Sequence, residues 1–143
     1  MVRSADCLKK YGDPWSNESK FMIMWDVPSD LEHGAIPKRM YCNKDMVGPL
    51  TQAFKYINER GLANQVKTYD GCFNRRKKRG GTSLSLHSWG IAIDINAAWN
   101  AFGKTPTMSP ELVNVSKTQV LNGVVIGRPL KTVCTFNWPS YHD

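Results

Sequence analysis

The stretch Ser85-Leu86-His87-Ser88-Trp89-Gly90-Ile91-Ala92-Ile93-Asp94-Ile95-Asn96 constrains the fold more than any other part of this 143-residue chain. From Gly90 its side chains alternate. Ile91, Ile93 and Ile95 fall on one side and Ala92, Asp94 and Asn96 on the other, which is the period of a β-strand. The pattern predicts a strand with an apolar face in the core and a polar face lining a cleft. His87 comes just ahead of it, after the approach Gly80-Gly81-Thr82-Ser83. An imidazole and a carboxylate delivered by one strand and its entry turn make half of a zinc site. Zinc takes nitrogen and oxygen ligands at about 2 Å, and a catalytic zinc keeps one position for water. Taken alone, a His and an Asp seven residues apart more readily describe a satisfied surface His and a solvated Asp.

The whole string says more. Ser-x-His-x-x-Gly-x-Ala-x-Asp resembles the signature of the zinc D-Ala-D-Ala carboxypeptidases and L-alanyl-D-glutamate endopeptidases, above all the short phage endolysins among them. The likeness extends upstream through Gly71-Cys72-Phe73-Asn74-Arg75-Arg76 and Arg79-Gly80-Gly81, and as a general pattern from the N-terminus to about Val113. It implies an α+β fold, a small antiparallel sheet with packed helices, shared with the Hedgehog signalling domain. It implies hydrolysis of an amide in the stem peptide of bacterial peptidoglycan, with zinc as cofactor and His87 and Asp94 as two of three ligands. Arg76 matches the family arginine that reaches the substrate carbonyl or carboxylate, where a fixed guanidinium steadies a developing oxyanion; Arg79 is the second choice. Ser85 is expected to hydrogen-bond substrate or to orient the site. Asn96, on the Asp94 face, is expected to bind substrate or simply to form a turn.

Beyond Val113 the likeness stops. The family continues with Gly-Phe-x-Trp-Gly-Gly-x-Trp and then Asp/Glu-x-Met-His-Phe, which carries the third ligand and the general base. Neither motif stands in this chain. The one downstream histidine is His142, the candidate substitute ligand, and Pro139, three residues before it, cannot act as a base. Reading the third base of each codon with the first two of the next recovers both motifs. Val113 to Pro139 then allow Lys-Cys-Phe-Lys-Asp-Ala-Gly-Phe-Glu-Trp-Gly-Gly-x-Trp, followed by Asp-Arg-Met-His-Phe-Gln-Leu-Ala. Two absent motifs in one register and in the right order predict a frameshift from about Asn114. Two ligands hold zinc poorly, so activity of the chain as written is expected to be impaired.

Length and composition fit a single domain over 1–143, with 114–143 departing from the family pattern. Apolar residues make up 41% of the chain, five of them Trp, and no apolar run of about 18 residues exists to span a membrane. Met1 to Pro14 lack the apolar segment of a signal peptide. The expectation is synthesis in a host cytoplasm, action on the cell wall, and a monomer. Cys7, Cys42, Cys72 and Cys134 form no Cys-x-x-Cys pair and read as buried, reduced thiols. The net charge of +7 suits an anionic polymer, whether nucleic acid or a bacterial envelope. The run Arg75-Arg76-Lys77-Lys78-Arg79 reads as a solvated loop, with a nucleic-acid contact as the minor alternative; no nucleic-acid partner is expected. Three readings stay open: a working zinc peptidase, a non-catalytic wall-binding remnant, and a basic nucleic-acid binder.

The remaining elements follow from pattern. A short helix is predicted over Asp6 to Gly12, strands over Phe21–Val27, Lys38–Cys42 and Val66–Tyr69, and a turn at Asp70-Gly71. The clearest helix carries Met46, Leu50, Ala53, Phe54 and Ile57 on one face, with Asn43 or Asp45 as cap and Gly61 past its end. His33 reads as an exposed loop imidazole, and Trp99 as packing beside the cleft. Ser109-Pro110-Glu111 is a helix start, with Ser as the cap.

Overall fold

The computed structural model describes residues 4–32, 34–77, 81–96, 109 and 111–112, together with the backbone of 125–126 and 135–137. The architecture is α+β. In chain order it runs α1 (Ser4–Tyr11), α2 (Glu18–Phe21), β1 (Met22–Asp26), β2 (Arg39–Asn43), α3 (Val47–Glu59), β3 (Tyr69–Gly71), β4 (Ala92–Ile95), β5 (Val125–Ile126) and β6 (Thr135–Asn137), with short 3-10 turns between. β1 and β2 form an antiparallel pair, and the second sheet has the order β3-β4-β6-β5, with β4 inside it. Among the described residues no helix is long and apolar enough to cross a membrane.

Helix α3 forms where the apolar spacing placed it. Leu50, Ala53, Phe54 and Ile57 are all buried on one side, and Phe54 stacks on Trp25 of β1 with ring centroids 6.2 Å apart. Pro49 sits in the first turn, where its missing N–H costs no helical hydrogen bond. Gly61 lies just past the end at φ +66°. The cap works one step earlier than expected. Asn43 accepts from the N–H of Asp45 and so caps the 3-10 turn Lys44–Met46 that leads into the helix. At the far end of the described chain, Ser109 Oγ accepts from the N–H of Leu112 at 3.2 Å, the bond expected of a helix cap, and Leu112 is fully buried.

Every one of the expected strands shifts its bounds, Phe21–Val27 to Met22–Asp26 and Lys38–Cys42 to Arg39–Asn43 among them. Phe21 closes α2 and does not join β1. The strand expected over Val66–Tyr69 begins only at Tyr69; ahead of it the N–H groups of Lys67 and Thr68 are taken by Asn96 Oδ1. The expected turn residues Asp70-Gly71 therefore lie within β3. Asp70 is the extra residue of an irregular register in which Tyr69 pairs with Ile95 and Gly71 with Asp94.

Asn43 ties the end of β2 to the turn that leads into β4. Asn43 is fully buried; its Nδ2 donates to the carbonyl of Trp89 and its backbone N–H to the carbonyl of Gly90. Gly90 is left-handed at φ +66°, and a Cβ there would lie 2.9 Å from Asn43 N and 2.5 Å from Met22 Sδ. Only a glycine lets the chain turn this tightly from the His87 turn into β4.

Candidate functional site

His87 does not lie on the strand. It sits in the 3-10 turn Leu86–Trp89, which runs into Gly90 and then β4. Ser85 caps that turn, its Oγ accepting from the N–H of His87 at 3.2 Å, and Ser85 is fully buried. Of the two expected roles, Ser85 therefore takes the positioning one; a side chain with no exposed surface is not a substrate contact. Ser88 Oγ meets the backbone of Arg76, and the N–H of Asn74 donates to the carbonyl of His87. The loop over 73–76 is thus fastened to the turn that carries the imidazole.

The imidazole is held at both nitrogens. Nδ1 lies 2.7 Å from the carbonyl oxygen of Cys72, and Nε2 lies 3.1 Å from Oδ1 of Asp94. A carbonyl only accepts, so Nδ1 must carry a proton and donate. In the neutral ring the Nε2 lone pair then faces a carboxylate oxygen, and two acceptors at that distance repel. A cation has to lie between them, either a second proton or a metal ion. The surroundings of the ring favour the proton. Burial works against charging His87, but the hydrogen bond and negative charge of Asp94 outweigh it, and its pKa is raised. The carbonyl-fixed tautomer is also the arrangement that leaves a histidine Nε2 free for a metal.

Asp94 is the one residue of β4 that is not fully buried. It opens on a cleft of about 180 Å³ lined by Asp70, Gly71, Cys72, Phe73, Asn74, Arg76, His87 and Asp94. Its neighbour on β3, Gly71, has no side chain, and a Cβ there would meet nothing within 4 Å. The open space beside the carboxylate begins at that bare position. On the other side β4 pairs with β6, with Ala92 opposite Asn137, Ile93 opposite Phe136 and Asp94 opposite Thr135. Among the described residues no third His, Cys, Asp or Glu joins His87 and Asp94 in a set of three.

Arg76 lines the same cleft, with its Nη1 donating to the carbonyl of Lys77 at 3.2 Å. Asn96 takes the turn-forming role of the two expected, although it leaves the Asp94 face. It leaves the strand at φ +54°, so the alternation ends before it and it does not share the Asp94 face. Its Oδ1 accepts from the N–H groups of Lys67 and Thr68 and its Nδ2 donates to the carbonyl of Gln65. Buried and engaged on three sides, Asn96 is the turn-forming clamp and not a substrate ligand. Arg79, His142, His33, Trp99 and Cys134 lie outside the described residues. The other three cysteines are buried free thiols, and burial pushes the Cys42 thiol up to about 12.

Two contributors were not singled out in the sequence. The Cys72 carbonyl is a backbone atom with no residue-type signal. Gly71 carried a signal, a glycine in the Asp-Gly pair, that points equally to an ordinary turn.

No family model, no curated protein and no solved structure matches this chain.

Proposed function

We propose that this chain is built on the scaffold of a zinc-dependent peptidoglycan peptidase of the carboxypeptidase and endolysin type, with the Hedgehog-like sheet that this implies. In this reading its third ligand and general base were lost to a one-base slip after about Val113. The observation that carries the reading is the confrontation of His87 Nε2 with Asp94 Oδ1 at 3.1 Å, the other ring nitrogen being committed to a carbonyl. His87 and Asp94 would hold the zinc, which when bound polarises the scissile carbonyl and acidifies water. Arg76 would orient the substrate carbonyl and bear part of its developing charge. The Cys72 carbonyl and Ser85 hold the imidazole in the required tautomer and position.

The strand register supports the slip. In the shifted frame the histidine codon takes the third base of Cys134 and the first two of Thr135. Restoring one missing base puts an imidazole at position 135, which pairs with Asp94. Opposed positions of an antiparallel ladder share a face of the sheet, with Cβ atoms about 4.5–5.5 Å apart. The missing ligand would thus fall beside the carboxylate it is meant to join. The acidic residue three positions earlier would supply the base. As written, the chain is a wall-binding remnant of low or no activity. The nucleic-acid reading loses ground at Arg75, whose guanidinium is paired with Glu18 at 2.9 Å.

The test compares the chain as written with one whose tail is recoded one base over. The recoded protein should hold one zinc per chain and clear outer-membrane-stripped cells, with clearing abolished by chelator and by His87→Ala. A folded recoded protein that takes up no metal overturns the reading. So does a gene whose codons do not spell the two motifs.

A further inference from the structure

Next to the cleft stands a second cluster that the zinc chemistry does not use. Asp13 pins a tight turn, accepting from the N–H of Trp15 and from Ser16 Oγ, both at 3.0 Å. The turn presents the Trp15 indole 56% exposed. The guanidinium of Arg75 lies 5.9 Å from the Trp15 ring centroid and 5.5 Å from that of Phe73. Glu18 accepts from Arg75 through one carboxylate oxygen at 2.9 Å and from the Tyr41 hydroxyl through the other at 2.6 Å. Tyr41 stands edge-on to Phe73, centroids 5.6 Å apart. Phe73 and Asn74, the two residues before Arg75, both line the His87–Asp94 cleft.

The charges select the ligand. Glu18 neutralises Arg75, so the cluster is no phosphate or carboxylate trap. It offers an exposed aromatic plate with the Arg75 guanidinium, itself held by Glu18, against it. Trp15 alone would be an ordinary exposed ring; the Arg75 guanidinium against both Trp15 and the cleft-lining Phe73 joins it to the polar cleft, where small-molecule sites form. A neutral pyranose fits such a surface, because its C–H groups cover the indole face while its hydroxyl and acetamido groups meet the guanidinium.

We propose that Trp15, Arg75 and Phe73 form a carbohydrate subsite that seats an amino-sugar ring of the glycan strand, with the attached peptide entering the cleft. The choice of glycan rests on the peptidase reading above; the sugar-binding surface itself does not. The test uses the full chain as written and a peptide-free oligomer of N-acetylglucosamine, followed by calorimetry. Binding is expected, weakened about tenfold in Trp15→Ala, the scale of one lost ring contact, and unchanged in Lys55→Ala on the exposed face of α3. Trp15 lies outside the core, and an unaltered circular dichroism spectrum checks that the variant folds. Absence of binding overturns the subsite, as does equal binding by Trp15→Ala, or displacement of the sugar by a polyanion at physiological salt. Sugar binding by a chain whose recoded form takes up no zinc would keep the subsite and discard the peptidase.

Discussion

Asn43 Nδ2 donates to the carbonyl oxygen of Trp89 at 2.9 Å, joining positions 46 residues apart in the chain. The bond lies in the interior, and the same side chain accepts from the N–H of Asp45 through Oδ1. Removing the amide strands a buried carbonyl and a partly buried N–H, each costing about 1–3 kcal/mol. Asn43→Ala should lower the midpoint of denaturant unfolding by an amount in that range or above. Asn43→Asp should recover only part of the loss, since it keeps the acceptor and lacks the donor.

Gly90→Ala should be still more damaging. A left-handed residue with a side chain costs about 1–2 kcal/mol before any contact. Here the new methyl also meets backbone at Asn43 N, 2.9 Å away. The flexible end of Met22 can withdraw; the backbone cannot. Thermal unfolding should show a loss exceeding the conformational cost alone, and Met22→Ala in the same chain should restore only a minor share.

At Asn96 strain and hydrogen bonding can be separated. Asn96→Gly relieves the positive φ and deletes the clamp on Gln65, Lys67 and Thr68, while Asn96→Ala deletes the clamp and keeps the strain. Both variants should unfold at lower denaturant than the parent, with Ala below Gly by about 1 kcal/mol. Equal stability of parent and Gly variant would show that the three bonds contribute no more than the strain that glycine relieves.

The raised pKa of His87 gives the metal-free protein a pH signature. An imidazole whose pKa is higher folded than unfolded contributes its stabilisation in full below the unfolded value, about 6.5. It loses that stabilisation as pH rises through the folded value. The melting temperature of the metal-free chain should therefore fall as pH climbs from 6.5. Asp94→Asn removes the carboxylate that holds the proton, so the same titration should be flatter. A melting temperature that rises over this interval would contradict the His87–Asp94 contact.

The helix α3, the entry of His87 before a strand, and the meeting of His87 with Asp94 were all legible in the residues. Periodicity reports which side chains are buried, and the motif reports which are brought together. What escaped was set by backbone. Asn96 looked like a face residue because alternation counts positions and cannot see φ turn positive. Asp70-Gly71 looked like a turn because composition does not distinguish a turn from an irregular strand edge. Ser85 could be read either as a substrate contact or as a positioning residue, and only the local 3-10 geometry, which brings its hydroxyl to the N–H of His87, separates the two.

The inside position of β4 carries a liability. β6 covers one of its edges, and the residues that form β6 belong to the stretch where the sequence departs from its expected pattern. Ile93 and Ile95 are buried there, so a β4 deprived of that neighbour would present unpaired N–H and C=O groups flanked by apolar side chains, a template for another chain. A version shortened before β5 should therefore show its defect first as self-association in light scattering and poor solubility, ahead of any loss of helical signal.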